Sequence, residues 1–397
     1  MSGGVDSAVS AALLYEQGYE VVGAFMKNWS SCDWRADQRD ATRVAAKLGI
    51  PFVTFDFEKE YREAVVDDMF RQFEAGRTPN PDVLCNKYIK FDRFVREADR
   101  LGCAYVATGH YARVLPRSIP PLPNPSERTF VRAEGGLAFE ALRSPSGSRR
   151  GGVAQNRRGR GVNGVRRGCA VELYSGLDPN KDQSYFLWAI NPTTLPRVLF
   201  PIGEMTKPQV REKARELGLE VADKKDSTGI CFVGEVDMRT FLQERLPKNP
   251  GNVVTFDGNV IGTHEGLAFY TLGQREGLGI GGGTPYYVVQ KRLATNEIVV
   301  ASNFHPALYR SELTASQLNW FEKPEIPFTC KARIRYRQEL QDCTISAPLL
   351  FKEGLGVVSM ESDGVSVVFS NPQRAVTPGQ SIVFYDGDKV LGGGIID

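Results

Sequence analysis

The chain opens with Ser2-Gly3-Gly4-Val5-Asp6-Ser7, and this short run constrains the fold more than any other segment of the 397 residues. Adjacent glycines let the backbone take positive φ and pass close to an anion, while Ser2 and Ser7 supply hydroxyl donors. The residues that follow, from Ala8 to Gln17, have helical periodicity with Val9 and Leu13 on one face. A turn of this kind feeding a helix N-terminus is suited to phosphate. It lacks the Gly-Lys-Ser/Thr ending of a Walker loop, whose lysine serves the β- and γ-phosphates. A glycine-rich turn that merely caps a helix is the plainer alternative.

From Glu20 onward, apolar strands alternate with amphipathic helices. Residues 21–26 form a continuous apolar strand, followed by a helix with Ala41, Val44, Ala45 and Leu48 on one face and Gly49 as its stop. The strand 51–55, helices carrying Val66, Met69, Phe70 and Phe73 and then Ile89, Phe94 and Leu101, and the strand 104–108 complete the pattern. It predicts an α/β domain with a doubly wound parallel sheet, in which ligands lie off the carboxyl ends of strands. Met26, Gly109 and His110 fall at such ends. A phosphate loop of this type is normally fed by a strand, and only Met1 precedes Ser2, so a gap is expected at the centre of the sheet.

Residues 116–168 break the pattern with Pro-Pro-Leu-Pro and Arg/Gly/Ser-rich sequence. Such a segment buries too little apolar area to offset its ordering entropy and is expected to be a disordered insertion, with a short hairpin near residues 130–139 as its only structure. Eight arginines and no acidic residue lie between Arg143 and Ala170, although the whole chain is only +2. The rest of the chain is therefore net acidic, and overall charge says nothing for or against RNA. An RNA-touching basic arm and an inert insertion are both open readings.

Helical periodicity returns over 207–217, ended by Gly218. Beyond about Gly234, short alternating runs punctuated by glycine and proline predict hairpins, with Asp257-Gly258 as one turn. Candidate strands at 331–336, 343–346, 365–369 and 381–385 predict an all-β tail closing into a small barrel. The expected division is an α/β domain over 1–233, a small β-rich domain over 234–290 and a C-terminal barrel over 291–397. No apolar run has the length of a membrane span, and no secretory segment precedes the glycine loop. Seven scattered cysteines suggest neither a disulfide framework nor a C-x-x-C zinc site. These features point to a cytoplasmic enzyme with no bound structural metal, and a monomer is expected.

Two cysteine segments carry candidate chemistry. In residues 77–91, Pro79 and Pro81 stiffen an extended loop, and Asp82 precedes Cys85 by three residues as a helix begins, so carboxylate and thiol share a face. A thiol at a helix N-terminus near Lys87 is expected to ionise readily, with Asp82 as proton acceptor or donor. A buried cysteine with Asp82 as helix cap is the competing reading. In residues 224–234, Cys231 follows Lys224 and Lys225 on a glycine-flanked loop, which suits a thiol that travels between sites.

Taken in order, the glycine loop, Phe25-Met26-Lys27-Asn28-Trp29, the Asn80 to Cys85 segment, Ala107-Thr108-Gly109-His110-Tyr111, Lys181-Asp182-Gln183-Ser184-Tyr185-Phe186 and Ser227-Thr228-Gly229-Ile230-Cys231-Phe232 resemble the tRNA-specific 2-thiouridylases, of the ATP-pyrophosphatase superfamily. Tyr270-Thr271-Leu272-Gly273-Gln274-Arg275, Arg333-Ile334-Arg335-Tyr336-Arg337 and Thr377-Pro378-Gly379-Gln380 extend the resemblance over nearly the whole chain outside the insertion. The resemblance implies that ATP with Mg²⁺ adenylates O2 of the wobble uridine, after which sulfur replaces the oxygen at C2. It implies ATP contacts at Ser2, Gly3, Gly4, Val5, Asp6, Ser7, Met26 and Gly109, and contact of Asn80, Pro81 and Asp82 with the target base. Cys231 would carry a persulfide from a donor protein, Cys85 would be the partner nucleophile that forms a disulfide with it, and Asp82 would be the acid/base group. His110, Lys181, Asp182, Gln183, Arg335, Tyr336 and Gln380 match positions that meet the tRNA anticodon arm. Cys32, Cys103, Cys169, Cys330 and Cys343 are left as structural or incidental. Two rivals stand beside this reading: an amide-forming ligase of the same superfamily, which needs neither Cys85 nor Cys231, and a relative that binds tRNA without adenylating it.

Overall fold

The computed structural model describes residues 1–30, 34–117, 170–225, 238–281, 285–352, 356–359 and 364–397. The segment around Cys231, the bulk of the predicted insertion with its suggested hairpin, and Cys32 and Cys169 lie outside the described residues.

The N-terminal region runs α1 (Val5–Glu16), β1 (Gly23–Lys27), α2 (Trp34–Leu48), β2 (Phe52–Asp56), α3 (Glu58–Tyr61), α4 (Asp67–Glu74), α5 (Pro81–Leu84), α6 (Phe94–Arg100), β3 (Val106–Ala107), β4 (Ala112–Pro116), β5 (Val171–Ser175), β6 (Val198–Leu199) and α7 (Lys207–Glu216). β1 pairs in parallel with β2, and β3 with β6. Among the described residues these are two separate parallel pairs rather than one continuous sheet. α1 is rich in small and apolar residues and packs close on both sides. Val5, Ala8 and Val9 meet Val44 and the α7 residues Val210 and Ala214, while Ala11 meets Ala45 and Ile50. Each buried valine or isoleucine in these contacts contributes roughly 1.5–3 kcal/mol.

Two helical runs change pitch partway. Arg62–Val66 between α3 and α4, and Cys85–Arg93 between α5 and α6, are π-helical. A widened turn inserts an extra residue per turn and is frequent at functional sites.

Next come α8 (Met238–Gln243), β7 (Gly251–Thr255), β8 (Val260–His264), β9 (Tyr286–Arg292) and β10 (Glu297–Ser302), whose strands form a sheet in the order β8-β7-β10-β9. The Asp257-Gly258 turn joins β7 to β8 as its sequence predicts, with Gly258 at φ +89°. A boundary at 290/291 would cut β9, and this sheet runs on to Ser302. Its inner face is not a private core. Phe241, Val253, Leu267, Val288 and Ile298 share one cluster with Tyr61, Met69, Phe70, Phe73, Cys85 and Ile89 of the N-terminal helices.

The tail contains β11 (Tyr309–Trp320), β12 (Phe328–Arg333), β13 (Gln341–Ser346), β14 (Leu349–Lys352), β15 (Gly356–Ser359), β16 (Val365–Arg374), β17 (Ser381–Asp386) and β18 (Lys389–Ile396). The order β11-β16-β13-β12-β17-β18 closes through pairing of β18 with β11, so six strands make a barrel without free edges. Leu313, Ile345, Val367, Phe369, Ile382 and Phe384 are among the residues filling it. β5 adds to β18, and β4 to β5. The two strands that flank residues 118–169 thus extend the barrel's own sheet, and Tyr185, Leu187 and Trp188 pack with Val383, Tyr385 and Val390 across that junction.

Lys291 on β9 is partly buried and donates from Nζ to the Gly76 carbonyl beyond α4 (3.1 Å). Burial lowers its pKa from the ordinary 10.5 to about 8. Between these values the unfolded chain holds a proton that the folded chain has released, so folding stability rises with pH at about 1.4 kcal/mol per pH unit. Lys291→Met removes this term. Urea denaturation at about pH 8 and pH 9.5 should show a stability gain for the parent that exceeds the variant's by roughly 1–2 kcal/mol; the same pH dependence in both would contradict the assignment.

Candidate active site

The glycine loop enters α1 with Gly4 as its cap in an extended conformation and no side chain closing the helix end. The N–H groups of the first turn are therefore left facing outward for an anion. Gly3 has φ +73°, and a Cβ there would lie 2.3 Å from the Asp37 carbonyl oxygen, so both conformation and space demand glycine. Ser2 N–H donates to Ser7 Oγ (3.0 Å), the two hydroxyl oxygens stand 3.1 Å apart, and Ser7 Oγ donates to Gly4 O (3.1 Å). Gly109, beyond β3, abuts the loop: a Cβ would sit 2.7 Å from the Asp6 carbonyl carbon and 2.8 Å from Ser7 N.

Asp6 would by itself repel a polyphosphate. It is held by Lys207, whose Nζ donates to Oδ1 at 2.8 Å and Oδ2 at 2.9 Å, and by the Tyr111 hydroxyl, which donates to Oδ1 at 2.8 Å. Lys207 is the first residue of α7, where a cation opposes the helix dipole. Its backbone N–H is taken by Asp178 Oδ2 (2.9 Å), and its side chain is only 10% exposed. A second ammonium, Lys224 Nζ, donates to Gly3 O (3.1 Å), Asp37 Oδ1 (2.7 Å) and Asp40 Oδ2 (2.6 Å). Burial works against its charge, but hydrogen bonds to the two carboxylates dominate and raise its pKa. Lys224 ties the stem of the segment that leads to Cys231 onto the glycine loop.

Met26 lies near the end of β1, and Asn28 just beyond it is 1% exposed with neither amide atom bonded to the protein among the described residues. A buried, unpaired amide is costly and is satisfied by a ligand or water. The open helix end, the close backbone packing that Gly3 and Gly109 permit around the loop, the neutralised Asp6 and the Asn28 amide together fit a nucleoside triphosphate. No group of three or more His, Cys, Asp or Glu side chains is arranged for a metal among the described residues.

The second part of the site follows α4. Asn80, not Asp82, caps α5: its Oδ1 accepts from Val83 N–H (3.4 Å), and Pro81 takes the first helical position. Asp82 and Cys85 lie three residues apart on this helix and so share a face. For Cys85 the expected place at a helix N-terminus needs correction, and the burial of the competing reading is observed. The helix starts at Pro81, so Cys85 falls in its second turn, past the free N–H groups that would favour an anion. Its side chain is also fully buried, in the cluster with Tyr61, Met69 and Ile89, at the start of the π-helical stretch. The adjacent Asn86 donates from Nδ2 to Phe186 O (2.9 Å), bringing the 181–186 segment alongside.

The positions expected to meet tRNA are largely engaged within the protein. Asp182 is buried and accepts from Gly176 N–H (3.1 Å), Ser184 N–H (3.0 Å) and Ser184 Oγ (3.0 Å), with Arg333 Nη1 at 3.4 Å. It shapes its loop. Gln183 Oε1 accepts from Tyr111 N–H (3.1 Å), and Lys181 N–H donates to Asp178 O (3.0 Å). His110 is buried between Phe91 and Phe200, with Nδ1 2.7 Å from Thr108 Oγ1 and Nε2 3.5 Å from Lys90 Nζ. Desolvation, then the Lys90 charge, push its pKa well below the ordinary value, so the ring is neutral at physiological pH. Arg335 Nη2 bridges domains, donating to Leu272 O (3.2 Å), Ala375 O (2.9 Å) and Thr377 Oγ1 (3.3 Å). Tyr336 rests on Phe186 with ring centroids 4.6 Å apart, which joins its loop to the 181–186 segment. Cys103 is partly buried, and Cys330 and Cys343 face each other across β12 and β13 with sulfurs 3.7 Å apart.

The chain matches the tRNA methyl transferase HUP domain over residues 1–127 and 159–235, the tRNA methyl transferase PRC-barrel domain over 239–302 and the aminomethyltransferase beta-barrel domain over 310–396. It is 44% identical over 407 residues to the tRNA-specific 2-thiouridylase MnmA of Shouchella clausii, covering 100% of this chain and 95% of the relative. The MnmA proteins of Bacillus subtilis and Marinobacter nauticus are each 43% identical, with 100% of this chain and 93% and 90% of those proteins covered. The chain belongs to the tRNA-specific 2-thiouridylase family. Its three domains are accordingly a HUP domain, a PRC barrel and a C-terminal β-barrel.

In this 2-thiouridylase, Lys207 escaped the sequence reading, and Asn28, Tyr111 and Lys224 stood in its motifs without a role at the glycine loop. A lysine at the first position of a helix, against the dipole, was the local signal that an acidic partner exists elsewhere. Lys207→Met leaves the Asp6 carboxylate uncompensated beside the phosphate-binding turn. Calorimetric titration should show about a tenfold or greater loss of ATP affinity, with Lys207→Arg recovering most of it. Parent-like ATP binding by Lys207→Met would refute this role.

Proposed function

We propose that the chain is an ATP-dependent sulfurtransferase that converts the wobble uridine of tRNA to 2-thiouridine. In this reading the glycine loop, with Met26 and Gly109, holds ATP, and Asn80, Pro81 and Asp82 receive the target base. The uridine O2 attacks the α-phosphate, pyrophosphate leaves, and the resulting adenylate turns a poor leaving group into a good one. Mg²⁺ would arrive with the triphosphate, held mainly by its phosphate oxygens, and offset charge as pyrophosphate departs.

The terminal sulfur of a Cys231 persulfide then attacks C2, and AMP leaves. Cys85, as thiolate, attacks the Cys231 sulfur; the S–S bond breaks, the base departs with C2=S, and a Cys85 to Cys231 disulfide remains for an external thiol to reduce. Asp82 shuttles the protons. Because Cys85 is buried, the reaction requires the helix around its π-helical stretch to open toward the base. A donor protein supplies the persulfide, the tRNA anticodon arm lies along the middle and C-terminal domains, and the protein acts as a cytoplasmic monomer.

The observation that carries this reading is the glycine loop itself, packed tightly against Asp37 at Gly3 and against Gly109 at Asp6 and Ser7, with an uncapped helix end and Asp6 neutralised by Lys207. One observation favours a second reading, a tRNA-binding relative that does not adenylate: β1–β2 and β3–β6 stand as separate pairs among the described residues. The amide-forming ligase reading would leave both cysteines idle.

Complementation of cells lacking the activity, with mass spectrometry of tRNA nucleosides, separates them. The parent chain should restore 2-thiouridine, and Cys85→Ser and Cys231→Ser should each leave about 1% or less, the scale on which loss of a nucleophile acts. Undiminished thiolation by Cys231→Ser would sink the persulfide route, and absence of thiolation with the parent would favour the non-adenylating relative.

A further inference from the structure

Residues 76–79, directly upstream of Asn80, receive hydrogen bonds from both other domains. Lys291 of the PRC barrel donates to Gly76 O at 3.1 Å. From the C-terminal barrel, Pro378 O accepts from Thr78 N–H (2.9 Å) and Ile396 O accepts from Arg77 Nη2 (2.9 Å). Gln380 Nε2 donates to both Thr78 O (2.8 Å) and Pro79 O (3.3 Å). The approach is close enough that Gly379, at φ +90°, would place a Cβ 3.0 Å from Thr78 N and 3.0 Å from Thr78 O.

The reason for outside donors lies in the sequence. Pro79 and Pro81 have no N–H, and each restrains the residue before it to extended backbone, so this stretch makes no regular local ladder for its carbonyls. The Gln380 amide brings two N–H bonds to two consecutive carbonyls. Gln380 is itself fixed: its N–H donates to Thr377 O (3.2 Å), and its carbonyl accepts from Ile396 N–H (2.9 Å) at the end of β18.

We propose that Gln380 is a positioning residue for the base-receiving loop: from the C-terminal barrel it sets the Thr78 and Pro79 carbonyls and thereby the seat of Asn80 and Asp82. Its Nε2 is spent on the protein rather than on RNA. Docking of tRNA on the barrel and chemistry on the HUP domain are coupled through this amide. The consequence for thiolation rests on the sulfurtransferase reading; the mechanical part does not.

Gln380→Glu keeps the shape but sets an acceptor against two carbonyls. Hydrogen–deuterium exchange of the peptide spanning residues 77–85, without tRNA or ATP, should be about tenfold faster in the variant, while peptides from the barrel strands β12 and β13 stay unchanged. Equal protection in both proteins would overturn the proposal whether or not the protein thiolates tRNA. In turnover, kcat at saturating tRNA should fall about tenfold or more while the tRNA Kd stays within about twofold. A raised tRNA Kd with unchanged kcat would make Gln380 an RNA contact and overturn the positioning role. A parent protein that shows no thiolation sinks the sulfurtransferase reading and leaves the exchange result to decide this one.

Discussion

The ion pair between Asp6 and Lys207 is the contact on which the nucleotide half of the molecule depends. An acid in the first turn of α1 suits that helix dipole but opposes a polyphosphate, and a cation at the first position of α7 opposes its own. Each is tolerable because the other is 2.8 Å away. Pairing them fastens the two helices and leaves the outward N–H groups of α1 as the net positive feature of the loop. Tyr111, the third member, carries the β3 to β4 connection with it and so seats Gly109 against Asp6 and Ser7. Removing the lysine alone would strand a half-buried carboxylate, which costs more than the pair itself contributes.

The half that carries Asn80, Asp82 and Cys85 is built differently, by contact between domains. The helices that carry Asp82 and Cys85 share their core with the PRC barrel, and the strand beyond that core reaches Gly76 through Lys291. Arg335 spans the PRC and C-terminal barrels through Leu272 and Ala375. Cations in this half therefore clasp the protein to itself. A surface organised in this way transmits strain, because buried donors and acceptors must be re-paired before any member can leave.

Local pattern made much of the fold legible. The glycine loop, the helix over 207–217 and the Asp257-Gly258 hairpin follow from periodicity and turn chemistry within a few residues, and so does the all-β tail. What escaped depends on long-range pairing that no local period encodes: the choice of β18 and β11 as the closing pair and the joining of β4 and β5 to the barrel, whereas the two unlinked parallel pairs agree with the gap expected in the sheet. The same holds for the site. Asp82 and Cys85 were visible as a spaced pair, and the helix start follows from the local Asn80 cap and Pro81, yet the burial of Cys85 depends on the packing of the N-terminal helices against the PRC barrel. Lys207 is separated from Asp6 by 201 residues, and Gln380 from Thr78 by 302, so neither partnership could be read from spacing.

Triphosphate cleavage that activates the oxygen of a base is the proposed step on which every later one depends. Its most direct measurement supplies the purified protein with unmodified tRNA and ATP labelled at the α-phosphate, with no sulfur source. Adenylation without a nucleophile to follow predicts label transferred to the tRNA together with release of pyrophosphate. Nucleotide hydrolysed to ADP and phosphate, or tRNA that binds and stays unlabelled, would contradict it.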